Sequence, residues 1–81
     1  HYDGWTDNPK GHDMPYILIQ VTRDGVTQAQ KRALIAGATE LVVRTLDKDP
    51  ATTFVVIDEV DTDNWGVAGA SVTDRRATAA A

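Results

Sequence analysis

Met14-Pro15-Tyr16-Ile17-Leu18-Ile19-Gln20-Val21-Thr22 is an apolar, β-branched run that opens on a proline. Residues 15–22 read as a strand, with Ile17, Ile19 and Val21 on one face and Tyr16, Leu18, Gln20 and Thr22 on the other. Proline suits the first residue of a strand, where its missing N–H does least harm. Both faces are at least partly apolar, so one is expected under a helix of the same chain and the mixed face against another subunit.

Downstream, Arg23-Asp24-Gly25-Val26 reads as a turn, and Thr27-Gln28-Ala29-Gln30 has the spacing of a capping box. A helix is expected from there to about Leu46. Leu34, Ile35, Ala38, Leu41, Val42, Thr45 and Leu46 fall on one stripe, while Arg32, Glu40 and Arg44 face away. Asp47-Lys48-Asp49 ends it, and Asp49-Pro50 resembles an N-cap followed by a first-turn proline, so residues 50–53 are expected to make a short extra turn. Thr53-Phe54-Val55-Val56-Ile57 is apolar at consecutive positions, the pattern of a strand buried on both faces. Strand, helix and strand make a βαβ unit, expected to be parallel and right-handed. Two strands and one helix do not make a stable sheet, so a second copy should extend it.

The flanks are less regular. Residues 1–14 are rich in turn formers and lack periodicity, and they read as an irregular arm or an expression remnant. Asp61-Thr62-Asp63-Asn64-Trp65-Gly66-Val67-Ala68-Gly69-Ala70-Ser71 suits a tight turn or short hairpin that places Trp65 near a surface. From residue 72 the chain reads as frayed, with 77–81 as the tail proper. The domain proper is residues 15–76.

Composition narrows the function. With 81 residues, 42% of them hydrophobic, the chain is one small domain that buries only about 60% of its unfolded surface. It has two Trp, two Tyr, one Phe and no Cys, so oligomerisation is the expected way to complete the core. A net charge of -4 provides no basic footprint for nucleic acid. No apolar run is long enough to span a membrane, and no leader pattern is present. The lack of cysteine fits a reducing compartment, and a cytoplasmic location is expected.

Met-Pro before a short strand, Thr-Gln-Ala-Gln-Lys opening the helix, Leu46 and Pro50 between helix and second strand, then Val-Val-Ile-Asp-Glu-Val and Asn-Trp-Gly-Val-Ala-Gly together resemble the 4-oxalocrotonate tautomerase family over residues 14–76. The resemblance implies an α/β (in some schemes α+β) subunit with a βαβ core and a C-terminal hairpin. Its sheet would be completed by dimerisation, in a homo-oligomer that is a hexamer, a trimer of dimers. It implies a cofactor-independent isomerase in which the free amine of Pro15 moves a proton between the enol and keto forms of a small unsaturated keto acid. Arg23 would bind or polarise that substrate, and Phe54 and Trp65 would form an apolar wall beside the amine. Better-known members carry arginines where this chain has Val26 and Phe54, and phenylalanine where it has Trp65, so one nearby arginine should favour fewer carboxylates than two.

Three of these residues also have a plainer reading. Pro15 is a strand-initiating residue, Arg23 a solvated turn cation and Trp65 a packing residue at a subunit contact. An internal proline has no basic nitrogen, so if the arm is retained, the chain is instead a non-catalytic oligomeric or binding module with Pro15 blocked. Asp58, Glu59, Asp61 and Asp63 imitate a calcium loop only in part: Trp65 stands at its fifth position and Val72 at its twelfth. A solvated acidic edge is the expectation there, with no metal site. His1 and His12 each lie near an aspartate and are read as arm residues without a role.

Overall fold

The computed structural model describes residues 14–80. The arm residues, His1 and His12 among them, lie outside the described residues. Strand β1 is Tyr16–Thr22 and strand β2 is Phe54–Val60. They pair in parallel from Tyr16 against Phe54 to Thr22 against Val60. β2 thus runs three residues beyond the apolar stretch that announced it, because Asp58, Glu59 and Val60 find cross-strand partners in Gln20, Val21 and Thr22.

Between the strands lies helix α1, Gln28–Leu46. It starts where the capping box requires: the Gln30 N–H donates to Thr27 Oγ1 at 3.1 Å, and the Thr27 N–H donates back to Gln30 Oε1 at 2.9 Å. It stops at Asp47, which adopts the left-handed conformation at φ 55°. A single 3₁₀ turn, Pro50–Thr52, follows, with the Ala51 N–H donating to the Asp49 carboxylate at 2.9 Å. The entry to α1 bends at Gly25, whose φ of +88° favours glycine.

α1 covers one face of the sheet. Ile17, Ile19 and Val21 of β1 and Val55 and Ile57 of β2 are half-buried there, as are Ala38, Thr39, Val42 and Val43 of α1, which packs chiefly on β2. On the opposite face Tyr16, Leu18, Phe54 and Val56 remain 43–61% exposed. The same chain therefore does not bury β2 on both faces. Leu34 and Leu41 on the flank of α1 are exposed as well, and no large side chain among the described residues is fully buried. Parallel strands are ordinarily covered on both sides, so one chain leaves its core half built.

After β2, a 3₁₀ turn at Thr62–Asn64 leads into a two-residue hairpin of β3, Gly66–Val67, and β4, Ala70–Ser71. Ala68 and Gly69 at its tip both have positive φ, 54° and 87°, which matches the strand twist of a tight hairpin.

The C-terminus differs from the expected frayed segment: residues 72–80 form helix α2, Val72–Ala80. Ser71 caps it, accepting the Asp74 N–H on Oγ at 3.0 Å, and Asp74 places negative charge in the first turn. Thr73 Oγ1 donates to Asp63 at 2.5 Å and meets Thr62 Oγ1 at 2.6 Å, which docks the helix on the turn after β2.

Candidate functional site

The four residues singled out in the sequence divide between two ends of the molecule. Pro15 and Phe54 share one end. Pro15 is half-buried immediately before β1, and the Phe54 N–H donates to its carbonyl at 2.8 Å. Because Tyr16 pairs with Phe54 in register, the apolar side chains of Tyr16 and Phe54 stand side by side next to the proline, on the uncovered sheet face.

Arg23 lies at the other end of the same strand, about 26 Å along it from Pro15 at roughly 3.3 Å per residue. Its N–H donates to the Val60 carbonyl at 2.8 Å, which ends the β1–β2 ladder. Its guanidinium donates to the Glu59 carbonyl at 3.2 Å. No carboxylate among the described residues pairs with it. Trp65, half-buried, follows β2 by five residues. Its carbonyl accepts the Val72 N–H at 2.8 Å, which ties it to the start of α2. The intervening residues include a compact 3₁₀ turn, and their reach is well short of the roughly 20 Å length of the strand. Within one chain, Arg23 and Trp65 therefore do not meet Pro15.

Lys31, to which the sequence reading gave no role, and Glu59, expected as part of a solvated acidic edge, complete the Arg23 end as an ion pair. Lys31 Nζ meets Glu59 Oε2 at 2.5 Å, with the glutamate side chain 19% exposed. The Lys31 hydrogen bond and charge, together with the nearby Arg23 charge, hold the Glu59 carboxyl below its ordinary proton affinity against the opposing effect of burial. A signal for Lys31 existed: at helical spacing it precedes Leu34, Ile35 and Ala38, a cation in line with the apolar stripe of the helix.

Three of the four carboxylates of the acidic edge accept hydrogen bonds. Asp58 accepts from Gln20 Nε2 at 3.0 Å, Glu59 from Lys31 and Asp63 from Thr73. Among the described residues no group of three His, Cys, Asp or Glu is placed to hold a metal ion, and no helix is long and apolar enough to cross a membrane. An open hollow between the hairpin and α2, lined by Val67, Ala70, Val72, Arg75 and Thr78, contains none of the four candidate residues.

The described residues thus form a small α+β unit with its proline-led strand end and Arg23 at opposite ends of β1 and one sheet face exposed. The chain belongs to the tautomerase family: residues 15–75 match the family described as "Tautomerase enzyme". It is 64% identical over 63 residues to probable tautomerase K2 of Dickeya dadantii, spanning 78% of this chain and 94% of that relative. It is 38% identical over 58 residues to the 2-hydroxymuconate tautomerase of Pseudomonas putida, spanning 72% of this chain and 90% of that protein. A solved 4-oxalocrotonate tautomerase isozyme from Methylibium petroleiphilum superposes with a TM-score of 0.74 at 38% identity, over 79% of this chain and 98% of the other. At family level the activity is that of a tautomerase, an isomerase.

Proposed function

We propose that this chain, with residue 15 as its amino terminus, interconverts the enol and keto forms of a small unsaturated keto acid through the Pro15 amine. The observation that carries the reading is that the family match begins at Pro15 itself, the half-buried residue that opens the strand. The neutral amine takes the hydroxyl proton of the enol. As that O–H bond breaks, its electron pair closes the C=O bond, and the C=C pair takes the proton from the Pro15 ammonium at carbon. No net proton is gained or lost, and the residue acts as base and then acid. An α-amine titrates at about 7.7–8.0 in water. Partial desolvation beside Phe54 lowers that toward neutrality, where a base works best.

Because Arg23 and Trp65 lie far from Pro15 of their own chain, neighbouring subunits supply them in this reading. The bare face of Tyr16, Leu18, Phe54 and Val56 supports such an assembly, which we take to be a homohexamer built as a trimer of dimers. One arginine and an apolar wall favour a substrate with a single carboxylate, of the phenylpyruvate type.

Intact mass and N-terminal sequencing of protein produced without a tag should find a chain that begins at Pro15. In that chain Pro15→Ala should lower kcat/KM on phenylenolpyruvate by about 10²–10⁴-fold, the usual weight of general acid–base catalysis, with the oligomeric state unchanged. A chain that retains residues 1–14 and turns over as fast as one starting at Pro15 would rule out the amine mechanism.

A further inference from the structure

Arg23 lies against a residue that would ordinarily capture it. Its guanidinium donates to the main-chain carbonyl of Glu59 at 3.2 Å, and the field of Arg23 reaches the carboxylate of the same residue. Arginine and carboxylate make strong, often bidentate pairs. Yet the Glu59 carboxylate is on Lys31 Nζ at 2.5 Å, and its side chain is only 19% exposed. Lys31 comes from the first turns of α1, whose start the Thr27–Gln30 capping box fixes. The lysine is therefore delivered to Glu59 by the helix rather than by a mobile loop. Glu59 itself is held in the parallel ladder opposite Val21.

We propose that Lys31 is a positioning residue that keeps Arg23 available to the substrate anion, by holding the Glu59 carboxylate in an ion pair of its own. The proposal rests on Arg23 being the anion-binding group of the tautomerase site. Glu59 then has two separate tasks: its carbonyl aims the guanidinium, and its carboxylate is neutralised so that it does not compete with the carboxylate of the substrate. Without the lysine, the glutamate side chain is an internal competitor for the same cation.

The test is steady-state kinetics of the assembled protein on phenylenolpyruvate. Arg23→Ala first establishes the underlying reading and should raise KM. Lys31→Met should then raise KM about tenfold, the scale of a competing hydrogen bond to a charged group, with kcat within about twofold. Lys31→Met combined with Glu59→Gln should bring KM back to within about twofold of the parent, since the competitor has gone. Lys31→Arg should also rescue. If Lys31→Met does not fold, Lys31→Gln carries the same comparison. A raised KM in Arg23→Ala with an unchanged KM in Lys31→Met overturns the proposal and leaves the role of Arg23 standing. Failure of the double variant to recover also overturns it, because the ion pair is then only structural. An unchanged KM in Arg23→Ala removes the anion-binding reading itself.

Discussion

The main-chain N–H of Phe54 donates to the carbonyl of Pro15 across 2.8 Å, so the first residue of β2 fixes the residue that opens β1. The same register puts the Phe54 ring beside Tyr16 on the bare sheet face, next to the proposed amine. At this position better-known members of the 4-oxalocrotonate tautomerase family carry an arginine. Phe54→Arg should add a second carboxylate-binding group, raising the kcat/KM ratio of the dicarboxylate 2-hydroxymuconate over phenylenolpyruvate by about tenfold, as one charge-assisted hydrogen bond allows. An unchanged ratio would mean that residue 54 does not face the substrate.

Local chemistry made most of the fold legible. The period-2 pattern of residues 15–22, the Thr27-x-x-Gln30 box and Asp49-Pro50 each specify a backbone conformation with their own side chains, and each element formed where those residues stand. α2 was missed because its alanines have no periodicity. Its signal was Ser71-x-x-Asp74, a capping pattern outweighed by the low-complexity tail. The site was legible only as residue types. A strand of period 2 fixes which face Pro15 and Phe54 share with their neighbours, but no local pattern states that Arg23 stands at the opposite end from the chemistry it would serve. Likewise, the consecutive apolar residues of β2 promised two covered faces, and one chain covers a single face.

That uncovered face gives a test of assembly. Leu18 is 45% exposed at its centre, between Tyr16 and Gln20 and opposite Val56. Leu18→Glu leaves the single subunit's packing against α1 untouched but would place an unpaired carboxylate in any subunit contact there, at a cost of several kcal/mol. Sedimentation velocity should show smaller species, with turnover lost in parallel. A variant that keeps the parent's size would show that assembly uses a different surface.

Thr27→Ala removes one half of the capping box and should lower stability by about 1 kcal/mol, read as a shift in the urea midpoint at constant slope. The loss should be the same at low and high salt, because the bonds at 3.1 and 2.9 Å join neutral groups.

At the hairpin tip, Ala68 has a φ of 54° beside Gly69 at 87°. Left-handed backbone is unfavourable for alanine by about 1–2 kcal/mol, whereas Asn-Gly is the preferred pair for such a turn. Ala68→Asn should raise the thermal midpoint, and a lowered midpoint would show that the alanine methyl makes a contact worth more than the strain.

Asp24 and Arg76 join the turn after β1 to α2 across 52 residues: Arg76 Nη1 donates to Asp24 Oδ1 at 2.7 Å and Nη2 to Oδ2 at 3.1 Å. The Arg76 hydrogen bonds, with a further one from Thr22, push the Asp24 pKa down from 3.8 to about 2 despite some opposing desolvation. A carboxyl whose folded value lies below its unfolded one binds more protons when unfolded. Its contribution is therefore complete above the unfolded value and is lost as pH falls through about 2. Arg76→Ala should return the Asp24 titration, followed by the side-chain carboxyl carbon in NMR, toward 3.8. In the same variant the amides of Val72–Ala80 should exchange faster at neutral pH, while those of β1 and β2 keep their protection. Unchanged exchange in α2 would assign its docking to the Thr62, Asp63 and Thr73 contacts and the Val72 bond to the Trp65 carbonyl. The high-salt limit separates the two further: 1 M salt screens an exposed ion pair to a range of about 3 Å, so the parent's α2 should approach the variant's exchange rate there if the pair is what holds it.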